Sequence, residues 1–236
     1  KSWVRHDPIE GKRAGVAGVS AWNRFWPRGH TGAGMTAAAS ARVLVAMPSR
    51  GYPWAPSLLQ AERLAVRLGT PLCLELGSPV HHVRTRIARR FLDSGCTHLF
   101  TIDDDIVVPE GTLERLLALE CPVATGVYPL ALQGGIVASV KRAGDARWPD
   151  RVPREVFPVV ETGLGCALIA RMVFERTARP WFLMSASPSG ELFGEDVWFS
   201  RRVRGAGLEI RCDGTVVCRH MKGEVDLLAL SSWTAE

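Results

Sequence analysis

Three carboxylates stand side by side at Asp103-Asp104-Asp105, directly after the apolar run His98–Ile102. Adjacent carboxylates repel one another, and the usual reason for a fold to keep them together is a hard divalent cation with oxygen ligands. A solvated acidic turn after a strand is the plainer account of three aspartates taken alone. The apolar run before them and Ile106-Val107-Val108-Pro109 after them favour the cation. The spacing does not fit a calcium loop, which spreads its ligands over about twelve residues around a central glycine.

Three further groups have types suited to chemistry. Glu195-Asp196 opens a helical stretch that runs to Arg204. Acidic residues at a helix N-terminus offset the macrodipole, which is reason enough for them. The functional alternative makes one of them a general base that takes a proton from a hydroxyl. His220 follows the last strand, beside Arg219 and Lys222. A histidine there is ordinarily structural, but imidazole with carboxylates suits manganese, and basic neighbours suit a phosphate. Arg84, Arg86, Arg89 and Arg90 form a cluster in which Arg86 and Arg90 share a helix face. This is either a solvated basic face or a contact to a diphosphate or a base.

The elements that must position these groups alternate between strand and helix. Strands are expected at Arg42–Met47, Pro71–Leu76, His98–Ile102 and Val123–Val127. Helices are expected at Ser57–Leu68, Val80–Leu92 and from Pro109 to Leu119, the last opened by its proline. Such alternation implies a parallel sheet with right-handed crossovers, and ligands bind at the carboxyl ends of its strands. The aspartates lie at such an end. The second half is less regular. Leu130–Pro158 is loop-rich, Cys166–Ala170 is a strand, Arg171–Arg176 a helix, and Ser185–Glu191 a polar loop. Leu208–Arg211 and Val216–Arg219 read as two strands joined at Asp213-Gly214, a hairpin signal.

The chain has 236 residues, 47% hydrophobic and 22% charged, enough for one large domain with a real core. No apolar run reaches the roughly 18 to 20 residues that span a bilayer, and no signal peptide opens the chain; a soluble, cytoplasmic protein is expected. Residues 1–40 are rich in Gly, Ala and Arg and are read as an N-terminal extension without assigned chemistry. The six cysteines, Cys73, Cys96, Cys121, Cys166, Cys212 and Cys218, include no C-x-x-C pair and are expected as buried thiols. The net charge of +5 fits a polyanionic ligand, a nucleotide or a nucleic acid, as well as it fits a solvated basic surface.

In order along the chain, these features resemble the GT-A class of glycosyltransferases, near the inverting family 2. Val83-Arg84-Thr85-Arg86 is similar to that family's Arg-Asn helix, with Thr85 where the family often has Asn. Thr97–Asp105 resembles its hydrophobic strand ending in Asp-x-Asp. Thr162–Arg171 with Phe174 resembles its small-Gly, apolar strand, Arg-x-x-Phe segment. Gly194–Arg202 followed by Gly205-Ala206-Gly207 resembles its Glu-Asp helix, and Val216–His220 its closing strand with a metal-ligand histidine.

The resemblance spans residues 42–222 and implies a single α/β domain over 41–236, a Rossmann-like, mainly parallel sheet flanked by helices. Residues 41–128 would be its nucleotide-binding half and 129–236 its acceptor-binding half. It implies Mn²⁺ or Mg²⁺ held by Asp105 and His220, with Asp103 shared between metal and donor. Pro48, Ser49, Arg50, Arg84, Asp103 and Asp104 would line the nucleotide-sugar pocket. Asp196 would be the catalytic base, with Glu195 assisting. The implied reaction is inverting transfer of a hexose, as from UDP-glucose, to a hydroxyl. The basic charge and a likeness to small virus-encoded enzymes raise hydroxymethylated pyrimidines in DNA as acceptor, which would put such an enzyme in a host cytoplasm; a saccharide or lipid-linked sugar is the ordinary alternative. Two other functions compete: a nucleotidyltransferase of related fold, for which Met47-Pro48-Ser49-Arg50-Gly51 is a poor phosphate loop, and a non-catalytic nucleic-acid-binding module.

Overall fold

The computed structural model describes residues 41–132, 135–187 and 189–231, so the extension read over residues 1–40 lies outside the described residues. The first half follows the expected alternation with one short strand added, β4: β1 (Val43–Ser49), α1 (Ala55–Arg67), β2 (Cys73–Leu76), α2 (Val80–Ser94), β3 (His98–Ile102), β4 (Ile106–Val107), α3 (Thr112–Leu117) and β5 (Val123–Val127). β1 runs on through Pro48. The ring is tolerated there because the pairing of β1 with β3 reaches only Ala46, opposite Thr101. α3 is shorter than expected: Pro109 stays outside it, and its carbonyl accepts a hydrogen bond from Thr112 Oγ1 at 2.7 Å.

The second half is built of shorter pieces. They are β6 (Pro129–Leu132), β7 (Gly135–Ala138), β8 (Val140–Lys141), β9 (Val156–Pro158), β10 (Glu161–Thr162), β11 (Cys166–Ala170), α4 (Arg171–Arg176), β12 (Ser185–Ala186), β13 (Leu192–Phe193), α5 (Glu195–Gly205), β14 (Ile210–Val217), β15 (Arg219–Lys222), β16 (Val225–Asp226) and α6 (Leu227–Leu230). The loop-rich stretch therefore contains a hairpin, β6 with β7.

The central sheet has seven strands in the order β2-β1-β3-β11-β5-β14-β9. β1, β2, β3, β5 and β14 run one way; β11 and β9 oppose them. The sheet is thus mostly parallel, as expected, but β11 is threaded antiparallel between β3 and β5. Every residue of β1 and of β5 is buried, as in strands covered on both faces. On one face Val43, Val45 and Met47 of β1 join Ala61 and Ala65 of α1 in the core; α2 packs on β1 and β2 through a stripe that includes Val83, Ile87 and Phe91.

The hairpin expected at Asp213-Gly214 does not form. Both residues lie inside β14, at an irregularity between Cys212 and Val217. Asp213 Oδ1 is taken up locally, accepting from Thr215 N at 2.9 Å and Thr215 Oγ1 at 2.6 Å. Gly214 is there for a close approach: a Cβ would come 1.8 Å from the Pro153 carbonyl oxygen. The Asp-Gly pair thus marks where another segment presses on a strand, not where the chain reverses.

Arg171 shows how the sheet holds α2 in place. Its guanidinium donates to the carbonyls of Phe91, Leu92 and Cys96 at 2.8–3.1 Å, satisfying acceptors that the end of the helix leaves unpaired. Phe174, three residues on, packs edge-on against Phe91 and Trp181 and lies against Phe182 and Phe199, so the same short helix ties α2 to α5.

Candidate functional site

The turn after β3 is the centre of a cleft of about 750 Å³. Every site residue expected from the sequence lines it: Pro48, Ser49, Arg50, Arg84, Asp103, Asp104, Asp105, Glu195, Asp196 and His220. They come from five places in the chain, and backbone pairing accounts for most of the convergence. Asp103 N donates to Gly165 O at 3.0 Å, which ties the start of the acidic turn to the segment leading into β11. Trp54 N donates to Asp104 O at 2.9 Å, holding the loop after β1 over the turn. β15 pairs antiparallel with β4 and sets His220 opposite Ile106, while Met221 N donates to Asp105 O at 2.8 Å. Asp105 and His220, 115 residues apart in the chain, are thereby made neighbours.

At one end of the cleft His220 is buried at 5% exposure, and its Nδ1 lies 2.6 Å from the Pro129 carbonyl oxygen. A carbonyl only accepts, so Nδ1 carries the proton; the other ring nitrogen, Nε2, lies 3.2 Å from Asp105 Oδ2. A ring held through Nδ1–H by a main-chain oxygen has the orientation that metal-ligating histidines adopt. Lys222 Nζ reaches the same Oδ2 at 2.6 Å. Burial opposes ionisation of Asp105, but the hydrogen bonds from His220 and Lys222 outweigh it and hold its pKa at about 2. The donor set of one ionised carboxylate and one oriented imidazole fits Mn²⁺ or Mg²⁺ that takes its other ligands from phosphate and water.

Asp103 is turned elsewhere. Both of its oxygens accept from Arg84 Nη2, at 2.8 and 2.9 Å, and Arg84 Nε donates to Glu195 Oε1 at 3.0 Å. Among the described residues no three His, Cys, Asp or Glu side chains gather as a metal cluster. The trio Asp103, Asp105 and His220 is thus split into a pair and a single carboxylate on an arginine. Arg84 is itself buried, at 5% exposure, between the acidic turn and the start of α5. Burial raises the Asp103 pKa, and the charge of Arg84 opposes the rise.

Asp196 takes no ion pair of this kind. Burial first, and then the charge of Glu195, push its pKa up to about 6, against 3.8 for an ordinary aspartate. A carboxylate poised near neutrality in a cleft has the properties of a general base. The helix N-terminus explains why acids stand at 195 and 196, but not why one of them is driven so far from its ordinary value.

Residues not singled out from the sequence complete the walls. The chain has only two tyrosines, Tyr52 and Tyr128, and both line the cleft. Tyr128 is buried; its hydroxyl accepts from Gly165 N at 3.1 Å and its ring meets His220 edge-on at 5.4 Å between centroids. A Cβ on Gly163 would come 2.1 Å from the Tyr128 hydroxyl oxygen and one on Gly165 3.0 Å from it, so this ring explains both glycines of the Thr162–Gly165 segment. Burial drives the Tyr128 hydroxyl well above its ordinary pKa, so it stays neutral against the Gly163–Gly165 backbone. A lone tyrosine after an apolar strand gave no periodic signal to find it by.

No family model matches the chain, and no curated protein matches it in sequence. Solved structures do match in fold. The crystal structure of A197 from STIV is 23% identical, with a TM-score of 0.59 over 78% of this chain and 87% of that one. The crystal structure of GalNAc-T7 with UDP, GalNAc and Mn²⁺ is 12% identical, with a TM-score of 0.52 over 77% of this chain. This chain matches 44% of that larger protein. The architecture is a GT-A-like Rossmann fold.

Proposed function

We propose that the protein is a metal-dependent glycosyltransferase that moves a hexose from a nucleotide-sugar donor of the UDP-glucose type to an acceptor hydroxyl, with inversion. The observation that carries this is the pairing, in one cleft, of an ionised Asp105 beside an oriented His220 with an Asp196 held near neutrality. The GalNAc-T7 structure, of the same fold, holds UDP, a sugar and Mn²⁺.

In this reading Pro48, Ser49 and Arg50 at the end of β1, with Asp103 and Asp104, receive the nucleoside. Asp105 and His220 hold the divalent cation. The cation, when bound, stabilises the charge that develops on the leaving diphosphate. Asp196 takes the proton of the acceptor hydroxyl as its oxygen bonds to the anomeric carbon and the bond from that carbon to the diphosphate oxygen breaks. Glu195 and Arg84 keep the start of α5 in register with the acidic turn, so that base and donor share one frame.

Incubation with UDP-glucose and Mn²⁺ should release UDP, and chelation should stop the release. Failure to bind or turn over any sugar nucleotide, with or without Mn²⁺ or Mg²⁺, would remove the proposal. The acceptor is sorted by a labelled donor offered to DNA bearing hydroxymethylated pyrimidines and, separately, to saccharides. Label on DNA supports the nucleic-acid acceptor, and label on sugar alone removes it.

A further inference from the structure

Lys222 has no role in the reading above, yet it comes closer to the Asp105 carboxylate than His220 does: its Nζ is 2.6 Å from Oδ2, against 3.2 Å for His220 Nε2. It stands on β15 two residues after His220, just before the turn at Gly223, which has φ +63°. Its side chain is 52% exposed, and that of Asp105 30%, so the ammonium reaches in from the rim on a flexible stem. His220 Nε2 faces the same Oδ2. Lys222 is thus the cation paired with the very oxygen that His220 also faces. A divalent metal on Asp105 and His220 needs the same oxygen.

We propose that Lys222 and the divalent cation compete for Asp105, and that the displaced ammonium re-pairs with the donor diphosphate, making metal and nucleotide bind cooperatively. This rests on the glycosyltransferase reading. Metal alone has to break a charged hydrogen bond, which weakens its binding. When a diphosphate arrives with the metal, the freed lysine gains a new anionic partner in the same cleft. Each ligand therefore improves the affinity of the other, and by reciprocity the factor is the same in both directions. Arg219 provides the contrast: it lies on the same strand, but its Nε donates to Asp226 Oδ2 at 2.7 Å and not to Asp105.

The test is calorimetric titration of the full chain, with Mn²⁺ alone and then with UDP at saturating Mn²⁺, for the wild type, Lys222→Ala and Arg219→Ala. Lys222→Ala should bind Mn²⁺ about tenfold more tightly and UDP about tenfold more weakly, the size expected for one charged hydrogen bond. Arg219→Ala should shift either affinity by no more than about twofold, as expected of an exposed charge whose partner lies elsewhere. Unchanged or weaker Mn²⁺ binding in Lys222→Ala overturns the proposal, as does unchanged UDP binding. Equal shifts in Arg219→Ala overturn it too, since they would reflect general charge. Should the wild type bind neither Mn²⁺ nor UDP, the glycosyltransferase reading falls and takes this inference with it. If it binds both and Lys222→Ala matches it, only the inference falls.

Discussion

Asp105 and Asp196 face the same cleft, and burial opposes ionisation of both, yet one is held at about 2 and the other at about 6. Asp105 has His220 and Lys222 within hydrogen-bond reach of one oxygen. At Asp196 the charge of Glu195 adds to the rise from burial, and Arg84, which is ion-paired to Asp103 and Glu195, opposes it without overcoming it. Partners rather than depth therefore divide the two carboxylates. Carboxyl groups pushed apart in this way commonly have separate tasks, a permanent anion at one position and a proton acceptor at the other.

The division can be broken at either end. Asp105→Ala removes the anion proposed to hold the cation and should have the largest effect. Metal-dependent transfer should fall by about 10³-fold or more, since Lewis-acid stabilisation contributes several kcal/mol. UDP release assays with and without Mn²⁺ measure it, and wild-type metal dependence in the variant would end the assignment. Asp196→Asn removes only the proposed proton acceptor. Transfer should drop by roughly 10²–10⁴-fold while UDP affinity stays at the wild-type value; lost UDP binding would move Asp196 to the donor side.

Two smaller effects sharpen the contrast. A base works when deprotonated, and Asp196 is raised from 3.8 to about 6, so the rate at low pH should rise about tenfold per unit up to about pH 6 and level off above it. Asp105, at about 2, adds no limb in that range. A pH–rate profile flat from pH 5 to 8 would contradict the assignment of Asp196. Glu195→Gln removes the neighbouring charge that helps to raise Asp196 and should move the limb to lower pH, by less than the shift that burial produces. A limb that stays in place would show that burial alone sets the value.

Much of this was legible in the sequence. Alternating apolar runs and helical periods gave β1, β2, β3 and β5 within a few residues, because parallel strands buried on both faces read as continuous apolar segments, whereas the two-residue β4 is too short to carry such a pattern. The acidic turn, Glu195-Asp196 and His220 were recognisable because charged groups beside apolar strands are unusual. What was missed depends on contacts distant in sequence. Asp213-Gly214 imitates a turn because the pressure of Pro153 on Gly214 leaves no local trace. The ion pairs that hold Arg84 between Asp103 and Glu195 join residues up to 111 apart in the chain and leave no local trace either. Tyr128 is invisible until Gly163 and Gly165 are found beneath its ring.

The antiparallel β11 bears on biogenesis. It lies between β3 and β5 although both precede it in the chain, and Ala167 is partnered by Thr101 on one side and Thr125 on the other. A nascent chain that has emerged only as far as β5 therefore presents two bare strand edges, each a template for pairing with a foreign chain. Closing them requires contacts across tens of residues, which are slow to form. The arrival of β11 also supplies the Gly165 carbonyl that holds Asp103 N. Protection from aggregation and the backbone geometry of the acidic turn are thus acquired together, late in synthesis, and a chain released before Gly165 would have neither.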